Sequence, residues 1–267
     1  MVTKFRQFLE KSELSKSTVN SYVWTINYFT VHYEKIDKEN LFAYKAWLIE
    51  HFKPKTVNLR LQALNKFLNF TGKERLKLKL VRVQQKNFLE NVVSNADYKF
   101  LKTKLKNDGY IKWYFVVWFL AATGARITEL LLIKAEHIEV GYLDLYAKGG
   151  KVRRIYIPKI LRKEACEWLK NKNLISGYIF CNRKGERITA RGISKQLKHF
   201  AKKYGLNSKV IYPHSFRHRY AKNFLEKYND ISLLADLMGH ESIETTRIYL
   251  RRTASEQQNI VDEIVTW

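Results

Sequence analysis

The stretch YLDLYAKGGKVRRIYI, from Tyr142 to Ile157, decides the fold class. Apolar and polar residues alternate on both sides of Lys148-Gly149-Gly150-Lys151. Gly-Gly between two alternating runs marks a tight β-hairpin, because glycine takes positive φ there without strain. Strands are expected over 142–147 and 152–157, with a third short one over 137–140. Working outward, the sequence reads as helix on both sides. Helical periods cover 96–106, 112–123 and 127–133 upstream, and 160–171, 190–204, 215–228, 231–238 and 243–250 downstream, with Gly205 and Gly239 as stops.

The first third is helical throughout. Ser15 or Ser17 caps a helix carrying Val19, Tyr22, Val23, Ile26 and Phe29 on one face. Asp37 precedes a second with Leu41, Tyr44, Trp47 and Leu48, and Thr56 opens a third with Leu61, Leu64, Phe67 and Leu68, stopped by Gly72. Residues 2–10 add a short first helix. From Lys73 the helical period is lost and basic residues alternate with short apolar ones. The organisation expected is a mostly α (α+β) chain: a helical domain over 1–72, an extended basic linker over 73–92, and a mainly helical domain with a small antiparallel sheet over 93–267.

Charge narrows the partners. Lys and Arg number 49 against 25 Asp and Glu, a net charge of +24. Such an excess calls for nucleic acid, an anionic membrane surface or another polyanion. Lys53 to Lys86 holds ten basic residues and one acidic residue, Glu74, which favours a polyanion contact over a merely solvated face. The apolar run from Trp113 to Ala125 falls short of the ~20 residues a bilayer span needs. The N-terminus lacks the apolar segment of a secretory signal, and the two cysteines, Cys166 and Cys181, form no CxxC pair. No membrane contact and no metal are expected, and a cytoplasmic location fits best.

Four places hold chemistry-bearing residues, each ordinary when taken singly. Arg126 after a hydrophobic run reads as a helix cap reaching water. Lys148 reads as a solvated turn residue, His214 with Arg217 as a surface pair, and Tyr249 as a helix-rim tyrosine. In order, however, the chain presents Thr123-Gly124-Ala125-Arg126-Ile127-Thr128-Glu129-Leu130, Ala147-Lys148-Gly149-Gly150-Lys151, Pro213-His214-Ser215-Phe216-Arg217-His218, Leu237-Met238-Gly239-His240 and Thr245-Thr246-Arg247-Ile248-Tyr249. This series resembles the tyrosine recombinases, the phage integrases and Xer-type enzymes, across the whole second domain. The basic helical first domain is similar to that family's core-binding domain. The resemblance implies a C-shaped clamp closed on double-stranded DNA.

The same resemblance assigns roles. Tyr249 attacks a DNA phosphodiester to form a 3′-phosphotyrosine and free a 5′-hydroxyl; its phenol, with a pKa near ~10, is an oxygen that can later leave. One ester replaces another, so no ATP, metal or other cofactor is required. Arg126 and Arg217 offer planar forks to the phosphorane oxygens, with His240 as a third donor. Lys148 protonates the leaving oxygen, Lys151 shares its hairpin tip, and His214 handles the tyrosine proton. Glu129 orients the site, while His218 and Arg219 extend the basic face. DNA contacts are expected from Lys53, Lys55, Arg60 and Lys66 in the first domain and from Lys73, Arg75, Lys77 and Lys79 in the linker. Lys151, Arg191, Lys195 and Lys198 add contacts in the second domain. Ile260, Val261, Ile264 and Trp267 stripe a short terminal helix, expected to dock on a neighbour and close a homotetramer that works through a Holliday junction. Two other functions compete with this one. A catalytically silent accessory protein has no reason to keep all six reactive residues, and a hydrolytic nuclease or RNA-processing enzyme would show carboxylates at metal-ligand spacing.

Overall fold

In the computed structural model, residues 1–84, 91–146, 152–240, 242–250 and 254–265 are described. Two compact units divide the chain, Met1–Gln85 and Lys86–Trp267.

The first unit packs α1 (Val2–Lys11), α2 (Lys16–His32), α3 (Lys38–His51) and α4 (Pro54–Phe70) around Phe5, Phe29, Tyr44, Leu61 and Phe67. Ser15 caps α2 by accepting from the Thr18 amide, and Asp37 caps α3 through the Asn40 amide. α4 starts two residues before the expected Thr56: Pro54 sits in its first turn, where the missing N–H costs nothing. Beyond Gly72 the chain does not leave the unit. After a 3₁₀ turn over Glu74–Leu76, residues 77–81 lie along α4. Asn65 exchanges two hydrogen bonds with the Leu78 backbone, both 2.9 Å, and Asn58 two with Val81, at 2.8 and 2.9 Å. The Leu78 side chain enters the core. Within the stretch expected as an extended basic linker, residues 77–81 are thus strapped along the helical unit by two asparagines seven residues apart, on one face of α4.

In the second unit, α6 (Ile111–Thr123) is buried nearly all round, which explains its unbroken apolar sequence. Around it lie α5 (Asn95–Asn107), α7 (Ile127–Leu130), α8 (Ala135–Val140), α9 (Lys159–Lys170), α10 (Ala190–Lys203) and α11 (Pro213–Lys227). β1 (Tyr142–Tyr146) and β2 (Val152–Tyr156) pair antiparallel with Leu143 opposite Ile155, both buried, and Asp144 opposite Arg154, a two-bond ion pair facing out. The expected third strand is instead helix: residues 137–140 belong to α8, ended by left-handed Gly141. A run of four residues carries no reliable period, and the glycine stop decides it. The hairpin tip, residues 147–151, lies outside the described residues. α12 (Ile231–Met238), α13 (Ile243–Arg247), a 3₁₀ turn over Ile248–Leu250 and α14 (Ala254–Ile264) complete the unit. Among the described residues no helix is long and apolar enough to cross a membrane.

Candidate active site

Three helix ends of the second unit converge. α6 stops at Gly124, in the left-handed region at φ +61°. A Cβ there would stand 2.5 Å from the Tyr220 ring, so only glycine lets α6 end this close to α11. Two residues on, Arg126 sits at the start of α7. Its amide donates to Glu129 Oε2 at 2.6 Å, a cap for the helix, and its guanidinium meets Glu129 Oε1 at 2.8 Å and the Gly239 carbonyl at 3.0 Å.

α11 presents His214, Arg217 and His218 on one face. Arg217 is the largest fully buried side chain, 1% exposed. Its fork donates to the Gly124 carbonyl at 2.5 Å and the Met238 carbonyl at 2.8 Å. These belong to the C-terminal ends of α6 and α12, whose carbonyls lack helical partners and carry partial negative charge. They offset the cost of burying the guanidinium without cancelling its formal charge.

Arg217 Nη2 also lies 3.0 Å from His240 Nε2. A guanidinium has no lone pair to offer, so Nε2 must accept, and the ring proton sits on Nδ1, 2.7 Å from Thr246 Oγ1. His240 is therefore neutral and faces Arg217, not open space. Tyr249 closes the group. Its ring packs with Leu225, Leu234 and Met238 and is 5% exposed, its phenol lies within the electrostatic reach of Arg217, and the rings of His240 and His218 stand 6.2 and 5.4 Å away.

Electrostatics follow from burial first. Burial, then Arg126 and Arg153, lowers the Arg217 pKa to about 10, still charged at neutral pH. Burial and then Arg217 bring His240 down to about 4; burial and then His214 do the same for His218. His214, at the rim, is also lowered, by burial and then by Arg217 and Arg126. Burial raises Tyr249 while Arg217 opposes it, so the phenol is protonated at rest. Burial works against the Glu129 charge, but Arg153 and Arg126 outweigh it and hold the carboxyl below its usual range.

Arg126, His214, Arg217, His240 and Tyr249 are thus brought together, with Glu129 beside Arg126. Lys148 and Lys151 lie outside the described residues. A cleft of about 970 Å³ runs past Arg126 and His214 and is also lined by Lys198, Lys202 and Lys209. Arg191, Lys195 and Lys198 are exposed on α10, whose other face buries Ile193, Leu197 and Phe200. In the first unit Lys53, Lys55, Arg75 and Lys77 are exposed. Lys79 is exposed, and its carbonyl accepts from Lys45; Lys73 donates to the Ile36 carbonyl and Lys66 leans over Phe8. Arg60 turns inward: Nη1 holds the Ser21 carbonyl and Thr25 Oγ1, and the guanidinium stacks on Trp24. His218 and Arg219 do not extend a basic face. His218 is buried against Tyr249, and Arg219 lies 4.0 Å over the Tyr98 ring.

Sequence reasoning missed Arg153, Thr246 and Lys209. Arg153 had a signal: it shares the inward register of its strand with Ile155 and Ile157, and an arginine there needs a buried partner. Thr246 and Lys209 carry no periodic signal, since contacts across a turn and along a cleft wall bring them to the site.

The sequence profile of the phage integrase family matches residues 88–256. The tyrosine recombinase XerA of Pyrococcus furiosus is 29% identical over 274 aligned residues, covering 98% of this chain and 93% of its own length. The tyrosine recombinase XerD of Oceanobacillus iheyensis is 25% identical over 92% of this chain and 91% of its own. Among solved structures, the Tn1549 transposon integrase in complex with transposon right end DNA superposes with a TM-score of 0.73 at 16% identity, covering 99% of both chains. A XerA recombinase crystal structure covers 100% of this chain and 98% of its own with a TM-score of 0.55 at 21% identity. These structural likenesses speak for the fold. The profile match spans well over half of the sequence and takes in Arg126, Arg217, His240 and Tyr249: the chain belongs to the phage integrase family, the tyrosine recombinases.

Proposed function

We propose that this chain is a site-specific DNA recombinase that cuts and rejoins double-stranded DNA through a 3′-phosphotyrosine on Tyr249. Tyrosine recombinases transfer DNA strands without metal ion or ATP. The observation that carries the assignment to these residues is Arg217: a buried guanidinium with no carboxylate on it among the described residues, held by helix-end carbonyls and acting on the Tyr249 phenol beside it.

In this reading a phosphodiester enters beside Arg126 and Arg217. The phenol oxygen attacks phosphorus, the bond to the 5′-oxygen breaks, and the phosphorane charge falls on the two guanidiniums. Losing one such donor typically costs ~10²–10³ in rate. The phenol starts protonated. Neutral His214 at the rim is the acceptor for its proton, and Lys148 is assigned the proton given to the leaving oxygen. His240 holds Arg217 in place, and its bare Nε2 becomes a phosphate donor only after releasing that bond and taking up a proton. Lys195, Lys198, Lys202 and Lys209 take phosphates on either side of the scissile one.

The finer assignment is a homotetramer acting in the cytoplasm on two core sites, through a Holliday junction, for a mobile element or for integration or resolution. Exposure of Val261 and Ile264 on α14, 51% and 61%, supports a tail that docks on a neighbour. The test is to incubate the protein with a pool of nicked duplexes of randomised core sequence and to look for an SDS-resistant protein–DNA adduct. The parent should give one and Tyr249→Phe none, with binding retained. An adduct from the Phe variant would put the nucleophile elsewhere; free cleaved ends without adduct would make the protein a hydrolytic nuclease.

A further inference from the structure

Behind Arg126 lies an ion pair that the recombinase reading does not use. Arg153 on β2 keeps only 10% of its side chain exposed. Its Nη1 lies 2.5 Å from Glu129 Oε1, its Nε donates to the Leu237 carbonyl at 3.0 Å, and its buried Nη2 has no partner among the described residues. A Cβ on Gly239 would run into the Arg153 side chain, so the turn leading to His240 is built around this guanidinium.

The carboxylate oxygen that Arg153 holds is the same one that Arg126 Nη1 meets at 2.8 Å. Two cations therefore share one Oε1, one from the buried side and one from the solvent side, where Arg126 is 43% exposed. The competition matters because a carboxylate alone with an arginine prefers a two-bond, fork-to-fork pair, which spends both guanidinium edges and neutralises the charge. Arg126 makes only one such bond here and gives its other nitrogen to the Gly239 carbonyl. Arg126, Arg153 and Arg217 around Glu129 leave a surplus of two positive charges where the phosphate is expected.

We infer that Arg153 is a positioning residue for strand transfer: by holding Glu129 from the buried side, it prevents that carboxylate from capturing Arg126 and keeps the Arg126 charge available to the scissile phosphate. This rests on the recombinase reading above. Arg153 acts through Glu129, so its importance depends on a charge at position 129. A residue that touched the phosphate, or that merely supported the fold, would not show that dependence.

The experiment compares the parent, Tyr249→Phe, Glu129→Gln, Arg153→Gln and Glu129→Gln/Arg153→Gln on a nicked duplex recovered from the randomised pool. Adduct formation is timed at saturating protein, DNA affinity is read by fluorescence anisotropy, and folding by thermal melting. The parent and Tyr249→Phe are scored first: no adduct from the parent overturns the recombinase reading, and this is seen before position 153 is compared. With the parent active, Arg153→Gln should slow adduct formation by tenfold to a hundredfold while affinity changes less than threefold. In the Glu129→Gln background the same substitution should change the rate less than threefold. The Glu129→Gln side chain keeps an oxygen for the Arg126 amide, and removing both charges leaves no unpaired buried ion, so this comparison stands even where Arg153→Gln alone fails to fold. A tenfold loss in the Glu129→Gln background, or a parental rate for Arg153→Gln, overturns the inference.

Discussion

At the scale of one residue, His218 and His240 show how burial, reinforced by neighbouring cations and rings, sets protonation around Tyr249. Both have pKa values near 4, with burial the first cause, and a ring this shielded cannot carry charge near neutral pH. The unfolded chain takes up these protons near ~6.5, while the folded chain resists until about 4. The unfolded state therefore binds more protons between those values, and stability rises with pH there. The contribution is complete above ~6.5 and is lost as the pH falls through about 4. Melting temperature should drop across that window by an amount equivalent to roughly 1–3 kcal/mol for each ring. His218→Phe, which keeps the packing against Tyr249, should make the drop shallower. A melting curve equally steep in the variant would remove His218 as a cause.

At the scale of an element, the strap over residues 77–81 shows two side chains turning linker into domain. Asn58 and Asn65 lie two helical turns apart on α4, and each amide satisfies one backbone N–H and one C=O of the strap, as a neighbouring strand would. Asn65→Ala breaks two bonds beside the buried Leu78 and should destabilise the first unit by about 1–3 kcal/mol. The measurement is urea unfolding, together with hydrogen exchange at the Leu78 amide. Continued slow exchange at Leu78 in the variant would show that side-chain packing alone holds the strap. The β-hairpin makes the complementary point. Its register pairs Leu143 with Ile155 inside and Asp144 with Arg154 outside, so alternation in the sequence is enough to place it.

At the scale of the whole molecule, a net charge of +24 sets the coupling to salt. On the proposed function, Lys195, Lys198 and Lys202 contact phosphates. Changing the three to Gln should then flatten the slope of log K against log salt by about 0.9 for each phosphate no longer neutralised, leaving the preferred sequence unchanged. A changed sequence preference would mean that α10 reads bases. The tail is the second test. Val261 and Ile264 are exposed on α14, and a helix this short is marginal in water without a groove to cover it. Truncation after Thr253 should retain binding to one half-site, reduce cooperativity on a full site and abolish or deregulate complete recombination. Recombination of two duplexes at the parental rate would leave the tail no part in assembly.

The sequence by itself determined the hairpin and the helices of both units other than α8, and it singled out the candidate site residues. Periodicity, caps and glycine stops are local properties, and the motif series runs in chain order through Arg126, His214, Arg217, His240 and Tyr249. Only the tertiary structure decided how those residues are held. The helix-end carbonyls of Gly124 and Met238 beneath Arg217, the Nε2 of His240 turned toward that guanidinium, and Arg153 on the far side of Glu129 come from segments distant in sequence. Nothing in a run of residue types specifies which backbone carbonyl lies under which guanidinium. The same limit hid the inward turn of Arg60 and the burial of His218: the sequence records a charge or a ring, while burial depends on what the rest of the chain packs over it.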